Sequence, residues 1–219
     1  MKIALIAGSF KPYTKGHAGL VNLASNECDV VHLYVSVSDR ARTGEVPVLG
    51  TDMARLWKVT IEPSLPENVQ VTYGGSPIGN VWKELGKANE SQSTDTYVLY
   101  GDPEDLAQNF TENLLQKYCG GIFTEGQVIL RAVERSSTAD VSGTLMRDWL
   151  KTGDKQSFIN NLPNDIDREL VWNTLSKTAQ APPKVKATAG PKHKKPAVAK
   201  KTQSEALLRS YVRIVLGRK

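Results

Sequence analysis

Glycine, lysine and histidine residues stand together close to the start of the chain, between Gly8 and His17. They follow residues 2–7, a short apolar run of the kind that forms a buried parallel strand. A strand, a glycine turn and a helix that carries Lys15 and His17 would present free backbone N–H groups and the positive end of a helix dipole. Because both attract anions, this segment predicts a site for nucleotide phosphates.

A second segment with phosphate-binding chemistry lies far downstream, between Ser142 and Arg147. The hydroxyls of Ser142 and Thr144 can cap a helix or donate to phosphate oxygens, and Gly143 lets the backbone approach a phosphate closely. Arg147 carries a fixed fork of N–H donors that matches two phosphate oxygens. Two anion sites at two helix ends would hold one triphosphate between them.

The first segment has the spacing Gly-x-Phe-x-Pro-x-x-x-Gly-His, which resembles the signature of the nucleotidyltransferase superfamily, the cytidylyltransferase-like enzymes. The second resembles the Ser-Gly/Ser-Thr-x-x-Arg box of that family, and the order of the two motifs also matches. Members move a nucleoside monophosphate from a triphosphate to a phosphorylated acceptor. Thr14 stands where the family's first motif histidine usually is, a variant that phosphopantetheine adenylyltransferases share.

The resemblance implies the roles of individual residues. His17, Lys15 and Arg147 would be catalytic, with His17 and Lys15 stabilising the transferring and leaving phosphates. Asp102, at the end of a predicted strand, would meet the acceptor, although a simple turn residue is an equally good interpretation. The residues that would bind the nucleotide are Gly8, Ser9, Phe10, Thr14, Gly16, Ser142, Gly143 and Thr144. The turn at 8–10 would seat the α-phosphate, with Thr144 and Arg147 at the β/γ end.

The acceptor is left open by the residues. The Lys-Gly-His core and the Ser-Gly-Thr-x-x-Arg box look most like nicotinamide mononucleotide adenylyltransferases, which favours AMP transfer from ATP to a mononucleotide with release of pyrophosphate. Thr14 and Ser9 look more like phosphopantetheine adenylyltransferases, and cytidylyltransferases that use CTP share the same frame. Lys11 departs from the Asp or Gln common at its position. Magnesium (Mg²⁺) would be bound through the nucleotide phosphates with few protein ligands.

Strand-like and helix-like segments alternate up to residue 150. The pattern predicts an α/β fold, a Rossmann-like doubly wound parallel sheet with helices on both faces. We expect strands at 2–7, 30–37, 68–73, 96–100 and 127–132, and helices at 16–26, 50–61, 77–88, 104–118, 143–151 and 166–175. Thr51 or Asp52 is the predicted N-cap of the second helix.

Composition favours a cytoplasmic protein. Hydrophobic residues make up 40% of 219 residues, and no run approaches the ~20 apolar residues that span a bilayer, so no membrane contact is expected. Cys28 and Cys119 show no metal-ligand spacing, which suggests two reduced thiols and no protein-bound metal. Residues 1–176 are predicted to form the nucleotidyltransferase domain, and a homo-oligomer stays open.

Charge is segregated towards the end of the chain. Residues 1–176 carry 16 basic and 22 acidic side chains, whereas residues 177–204 carry 8 lysines and no acidic residue. We predict a disordered Lys/Pro/Ala-rich linker at 177–204 and a short amphipathic C-terminal helix at 205–219. Weak contact of 177–219 with nucleic acid or a protein, and a solubilising spacer, are both open. A non-enzymatic alternative is a nucleotide-binding domain that this basic tail tethers to nucleic acid or to an assembly.

Overall fold

Five parallel strands form one sheet in a computed structural model that describes residues 1–134 and 141–180. Their order is β3-β2-β1-β4-β5, and every neighbouring pair is parallel. The strands are β1 (Lys2–Gly8), β2 (Val30–Val35), β3 (Val69–Tyr73), β4 (Thr96–Gly101) and β5 (Val128–Ala132). The chain therefore proceeds outward from β1 to one edge and then restarts on the other side of β1, which confirms the predicted doubly wound sheet.

Helices connect and follow the strands. They are α1 (Lys15–Glu27), α2 (Gly50–Leu56), α3 (Pro77–Glu90), α4 (Pro103–Asn109), α5 (Glu112–Thr124), α6 (Gly143–Thr152), α7 (Lys155–Asn160) and α8 (Arg168–Gln180). Helix α2 continues into a π-helical turn, Trp57–Ile61, and a 3₁₀ turn, Glu62–Ser64. No helix of the described residues is long and apolar enough to cross a membrane.

Three details differ from the sequence predictions. The helix predicted at 104–118 is broken, because Phe110 leaves helical geometry (φ −130°, ψ 55°) and the Thr111 side chain caps a new helix. The N-cap of α2 is Leu49, and the first N–H of the helix, that of Gly50, donates to Asp39 Oδ1 at 2.7 Å. Helix α8 continues through residue 180, so the start of the predicted linker is helical. The rest of that linker and the helix predicted at 205–219 lie outside the described residues.

The sheet is covered on both faces. Successive side chains of a strand point to opposite faces, so the neighbours Leu5 and Ile6 in β1 enter two separate apolar clusters, each only 1% exposed. The Ile6 cluster contains residues of α1, α2, α6, α7 and α8. The Leu5 cluster contains residues of α3, α4 and α5. This packing fixes the start of α6 close to the carboxyl end of β1.

Candidate active site

A cleft of about 510 Å³ opens at the carboxyl ends of β1 and β4, where the strand order reverses. Open α/β sheets bind ligands at such a switch point. Both motifs reach it: all of the residues proposed from the sequence line the cleft, namely Gly8, Ser9, Phe10, Thr14, Lys15, Gly16, His17, Asp102, Ser142, Gly143, Thr144 and Arg147. The two distant segments therefore converge on one site.

The turn after β1 is shaped by Phe10. Its backbone is left-handed (φ 48°), and its ring packs over Gly8, where an added Cβ would lie 2.7 Å from the ring. The ring is also in edge-to-face contact with Trp57, with centroids 5.8 Å apart, and with His17, at 5.0 Å. Since Phe10 is only 4% exposed, its ring supports the turn from the inside of the protein.

Thr14 and His17 form a reciprocal cap at the start of α1. The Thr14 backbone N–H donates to His17 Nδ1 at 3.0 Å, and the His17 backbone N–H donates to Thr14 Oγ1 at 3.4 Å. Because Nδ1 accepts a hydrogen bond, this contact assigns the ring proton of neutral His17 to Nε2. Thr14, which is buried, thus acts on the site by orienting the imidazole. Lys15, the first residue of α1, is exposed at the cleft.

The second motif forms the start of α6. Ser142 Oγ accepts from the Leu145 N–H at 3.1 Å and caps the helix. A Cβ on Gly143 would lie 3.0 Å from Arg147 Nη1 and 3.5 Å from the Lys11 carbonyl oxygen. The close approach that requires glycine is therefore made by the protein's own guanidinium and backbone.

Arg147 is 3% exposed and joins three parts of the chain. Its Nε donates to Glu45 Oε2 at 2.9 Å, its Nη1 to the Lys11 carbonyl at 3.0 Å and its Nη2 to Thr144 Oγ1 at 3.0 Å. Burial is the main cause of a lowered pKa at Arg147, opposed by the hydrogen bond to Glu45. Three of the five N–H groups of a guanidinium thus have partners within the protein, and the phosphate contact expected of Arg147 stays a prediction.

Glu45 and Arg40 belong to the site, although neither is among the site residues predicted from the sequence. Glu45 Oε2 accepts from Arg40 Nε at 3.2 Å as well as from Arg147. Burial raises the pKa of Glu45, but the hydrogen bonds from the two arginines outweigh it and hold the pKa below its usual value. Arg40 lines the cleft. Its position just after a predicted strand was the signal available, whereas nothing in the sequence linked Glu45 to Arg147.

Asp102 caps α4 by accepting from the Asp105 N–H at 2.8 Å, and it also lines the cleft. The structure thus gives it the turn role and places it where an acceptor or ribose could be met. Tyr100 and Asp105 lie beside it on the cleft wall.

A second cavity of about 310 Å³ adjoins the cleft. The two share residues at the carboxyl ends of β1 and β4, namely Ala7, Gly8, Ser9, Tyr100 and Gly101, and also Asp105 of α4. The second cavity is otherwise lined largely by apolar side chains, among them Ile78, Val81, Leu106 and Phe110. Among the described residues, no lysine, arginine or histidine lines it.

In a comparison with known protein families, one family model matches the part of the chain that contains the first motif. Residues 3–48, which contain all of β1 except Lys2, the whole first motif and β2, match the model of the citrate lyase ligase C-terminal domain. The match covers the complete run from Gly8 to His17. Over residues 3–48, the match confirms the resemblance that the first motif indicated. No sequence among the curated proteins matches the chain.

Two solved structures are similar in fold. The first is Thermotoga maritima TmcAL bound with alpha-thio ATP, with a TM-score of 0.48 and 11% identity, covering 81% of this chain and 56% of that one. The second is a bifunctional NMN adenylyltransferase/ADP ribose pyrophosphatase from Francisella tularensis, with a TM-score of 0.46 and 15% identity, covering 80% of this chain and 48% of that one. The chain thus spans about half the length of each protein.

Proposed function

We propose that this chain is a nucleotidyltransferase that transfers AMP from ATP to a phosphorylated acceptor such as nicotinamide mononucleotide and releases pyrophosphate. The observation that carries the proposal is the convergence of two helix N-termini, those of α1 and α6, on one cleft at the switch point of the sheet. Each presents backbone N–H groups and the positive end of a helix dipole to the same space. A triphosphate is the ligand that extends across both.

Cationic side chains of the cleft would lie along the triphosphate. Lys15 at the first helix and Arg40 in the loop after β2 line it from different sides. Because the Thr14 N–H donates to His17 Nδ1, the Nε2–H of the ring is the group that would donate to a phosphate oxygen. These groups offset the charge that builds up on the leaving pyrophosphate.

The reaction needs little covalent help. An acceptor oxyanion attacks the α-phosphorus in line, a new P–O bond forms, and the bond to the β-phosphate oxygen breaks with its electron pair leaving on pyrophosphate. Since the attacking oxygen already carries charge, no side chain has to remove a proton. Positioning and charge stabilisation supply most of the rate.

Magnesium is the proposed companion of the nucleotide. The described residues contain no group of three or more metal-ligating side chains, but the carboxylates of Asp102, Asp105 and Glu134 line the cleft. Oxygen ligands are those that Mg²⁺ prefers, and it usually needs only one or two carboxylates besides phosphate oxygens. Bound there, Mg²⁺ would neutralise phosphate charge, and these three residues are its candidate protein ligands.

The second cavity is the proposed chamber for the acceptor. Its apolar walls suit an uncharged part of the acceptor molecule, while the shared wall at Gly8 and Ser9 brings the anionic end to the α-phosphate. Transfer to a carboxylate acceptor is a second candidate, favoured by the match to a domain named for a ligase. A carboxylate oxygen can attack the α-phosphorus in the same in-line manner.

Pyrophosphate release from ATP and from CTP, with a panel of phosphorylated and carboxylate acceptors, tests the proposal. We expect His17→Gln to lower kcat/KM about 100- to 1000-fold, because a glutamine at that helix position retains the cap but lacks the imidazole. His32→Gln is the matched control, since His32 lies in β2 and pairs with Glu84 at 2.7 Å. Silence across the whole panel, combined with salt-sensitive nucleic-acid binding, would favour the tethered binding domain instead.

A further inference from the structure

Lys11 is a buried cation at the cleft, and it has no role in the mechanism proposed above. Its side chain is 4% exposed, and the residue lines the cleft. The ammonium donates to Ser36 Oγ at 3.3 Å and to the Ser38 carbonyl oxygen. Both partners are neutral, so two of the three ammonium hydrogens are bound without any cancellation of the charge.

Nothing among the described residues pairs this charge directly. No carboxylate oxygen of residues 1–134 or 141–180 lies within 4.0 Å of Lys11 Nζ. Asp39 is near enough to favour the charged form and Arg40 to oppose it, while burial is the main cause of the lowered pKa of Lys11. Asp39 Oδ1 also accepts the Gly50 N–H at 2.7 Å. Burial of a cation beside neutral partners is costly, which is the situation that an anionic ligand relieves.

The position of Lys11 indicates which anion this is. Lys11 directly follows the turn of residues 8–10 at the carboxyl end of β1, and its carbonyl accepts from Arg147 at 3.0 Å. Its partner Ser36 lines the second cavity, whereas Lys11 itself lines the main cleft. Through its hydrogen bond to Ser36, Lys11 thus connects the lining of the main cleft with that of the second cavity.

We propose that the Lys11 ammonium binds the α-phosphoryl group of the nucleotide, on the side from which the acceptor attacks. This inference rests on the proposed function. Lys11 would hold the non-bridging oxygens as the bond from acceptor oxygen to phosphorus forms and the bond to pyrophosphate breaks. It keeps its proton throughout, and it lessens the repulsion between the phosphoryl group and an incoming oxyanion.

Calorimetric titrations with ATP, AMP and inorganic pyrophosphate distinguish contacts to the α-phosphate from contacts to the other phosphates of the nucleotide. Lys11→Met keeps the length of the side chain without its charge. We expect it to weaken ATP and AMP binding about ten- to a hundredfold and to leave pyrophosphate binding within about threefold. Lys117→Met is the matched control, because Lys117 is exposed on α5, and it should bind all three ligands like the wild type.

The outcomes distinguish the two proposals. A wild-type protein that binds neither ATP nor pyrophosphate would refute the proposed function, and the role of Lys11 with it. A wild type that binds ATP, together with a Lys11→Met protein that binds ATP and AMP equally well, would overturn the role of Lys11 alone, as would an equal loss for pyrophosphate. Lys11→Arg, which retains a charge, should regain most of the AMP affinity, so a folding defect in Lys11→Met cannot imitate the expected result.

Discussion

At the scale of single residues, Arg147 is held by three contacts within the protein. Its guanidinium holds Glu45 in the loop after β2, the Lys11 carbonyl in the turn after β1 and Thr144 in its own helix. Lys151 strengthens the same connection by donating to the Gly44 carbonyl at 3.3 Å. The loop that carries Arg40 is thereby fixed to α6, so the shape of the cleft depends on Glu45 as well as on the motif residues.

The Glu45 contact gives a prediction for pH dependence. Because the folded state holds the pKa of Glu45 below its usual value of 4.5, its ion pairs stabilise the protein at neutral pH and are lost as the pH falls through the lowered pKa. We expect Glu45→Gln to lower the urea midpoint at pH 7, and the difference from the wild type to shrink below pH 4.5. Glu67→Gln, at an exposed position before β3, is the control. A difference that stays constant with pH would contradict the assignment.

The glycines offer a second prediction at this scale. A Cβ on Gly50 would lie 1.8 Å from the Val37 carbonyl oxygen, whereas a Cβ on Gly86, inside α3, would meet nothing within 4 Å. We expect Gly50→Ala to lower the free energy of unfolding by about 2–3 kcal/mol. Gly86→Ala should raise it by about 0.5–1 kcal/mol, because alanine favours the helix. Urea denaturation measures both, and equal effects of the two would show that Gly50 is not so closely packed.

At the scale of secondary-structure elements, the start of α6 has two tasks. Ser142 caps the helix and lines the cleft, while Ser76 caps α3 in the same way, accepting from the Gly79 N–H at 3.2 Å. Met146 and Leu150 hold α6 against the core, each no more than 2% exposed. The direction of its N-terminus towards the cleft is thus set by packing on the opposite side of the same helix.

Variants at the two caps distinguish an effect on stability from an effect on ATP binding. Ser142→Ala and Ser76→Ala should each lower the free energy of unfolding by about 1 kcal/mol, since each loses one cap hydrogen bond. Only Ser142→Ala should also weaken ATP binding, by about three- to tenfold. Thermal unfolding and calorimetric titration on the two variants give the answer. A similar loss of ATP affinity in both variants would show that Ser142 has no direct role in binding ATP.

The same elements show what sequence could and could not reveal. Apolar runs located β1, β2 and β4, because buried strands are continuous in hydrophobicity. The edge strands β3 and β5 are mostly half-buried or exposed, and the alternation of strand-like and helix-like segments predicted them. Both motifs were found, because their residues are local in the chain. The pairing of Glu45 with Arg147 spans 102 positions and exists only once the loop packs on α6. The burial of Lys11 likewise depends on the distant Ser36 and Ser38. The helix break at Phe110 was missed even though Thr111 is a good capping residue.

At the scale of the whole molecule, charge is divided between two parts of the chain. Residues 1–181 form one compact unit, and their acidic side chains outnumber the basic ones, whereas residues 182–219 contain 11 basic residues and 1 acidic residue. Nucleic acid attracts such a basic segment through its phosphates, with the release of counterions. The nucleotide site and any contact of this kind would therefore use different parts of the chain.

Removal of the basic segment tests this separation. If the full chain binds duplex DNA at low salt through this segment, a chain that ends at residue 181 should lose that binding. It should keep pyrophosphate release within about twofold of the full chain. Titration of a fluorescent DNA duplex at several salt concentrations measures the first quantity. If DNA binding survives the truncation, its site lies in residues 1–181.

The wall that the two cavities have in common has a practical consequence. Because Gly8 and Ser9 border both spaces, one covalent molecule could fill both, with an adenylate portion joined to an acceptor-like portion. Such a bisubstrate inhibitor would bring its second half to the protein at a high effective concentration once the first is in place. Its affinity should then exceed that of either fragment by orders of magnitude. This requires a linker long enough to pass Gly8 and Ser9, which separate the two cavities.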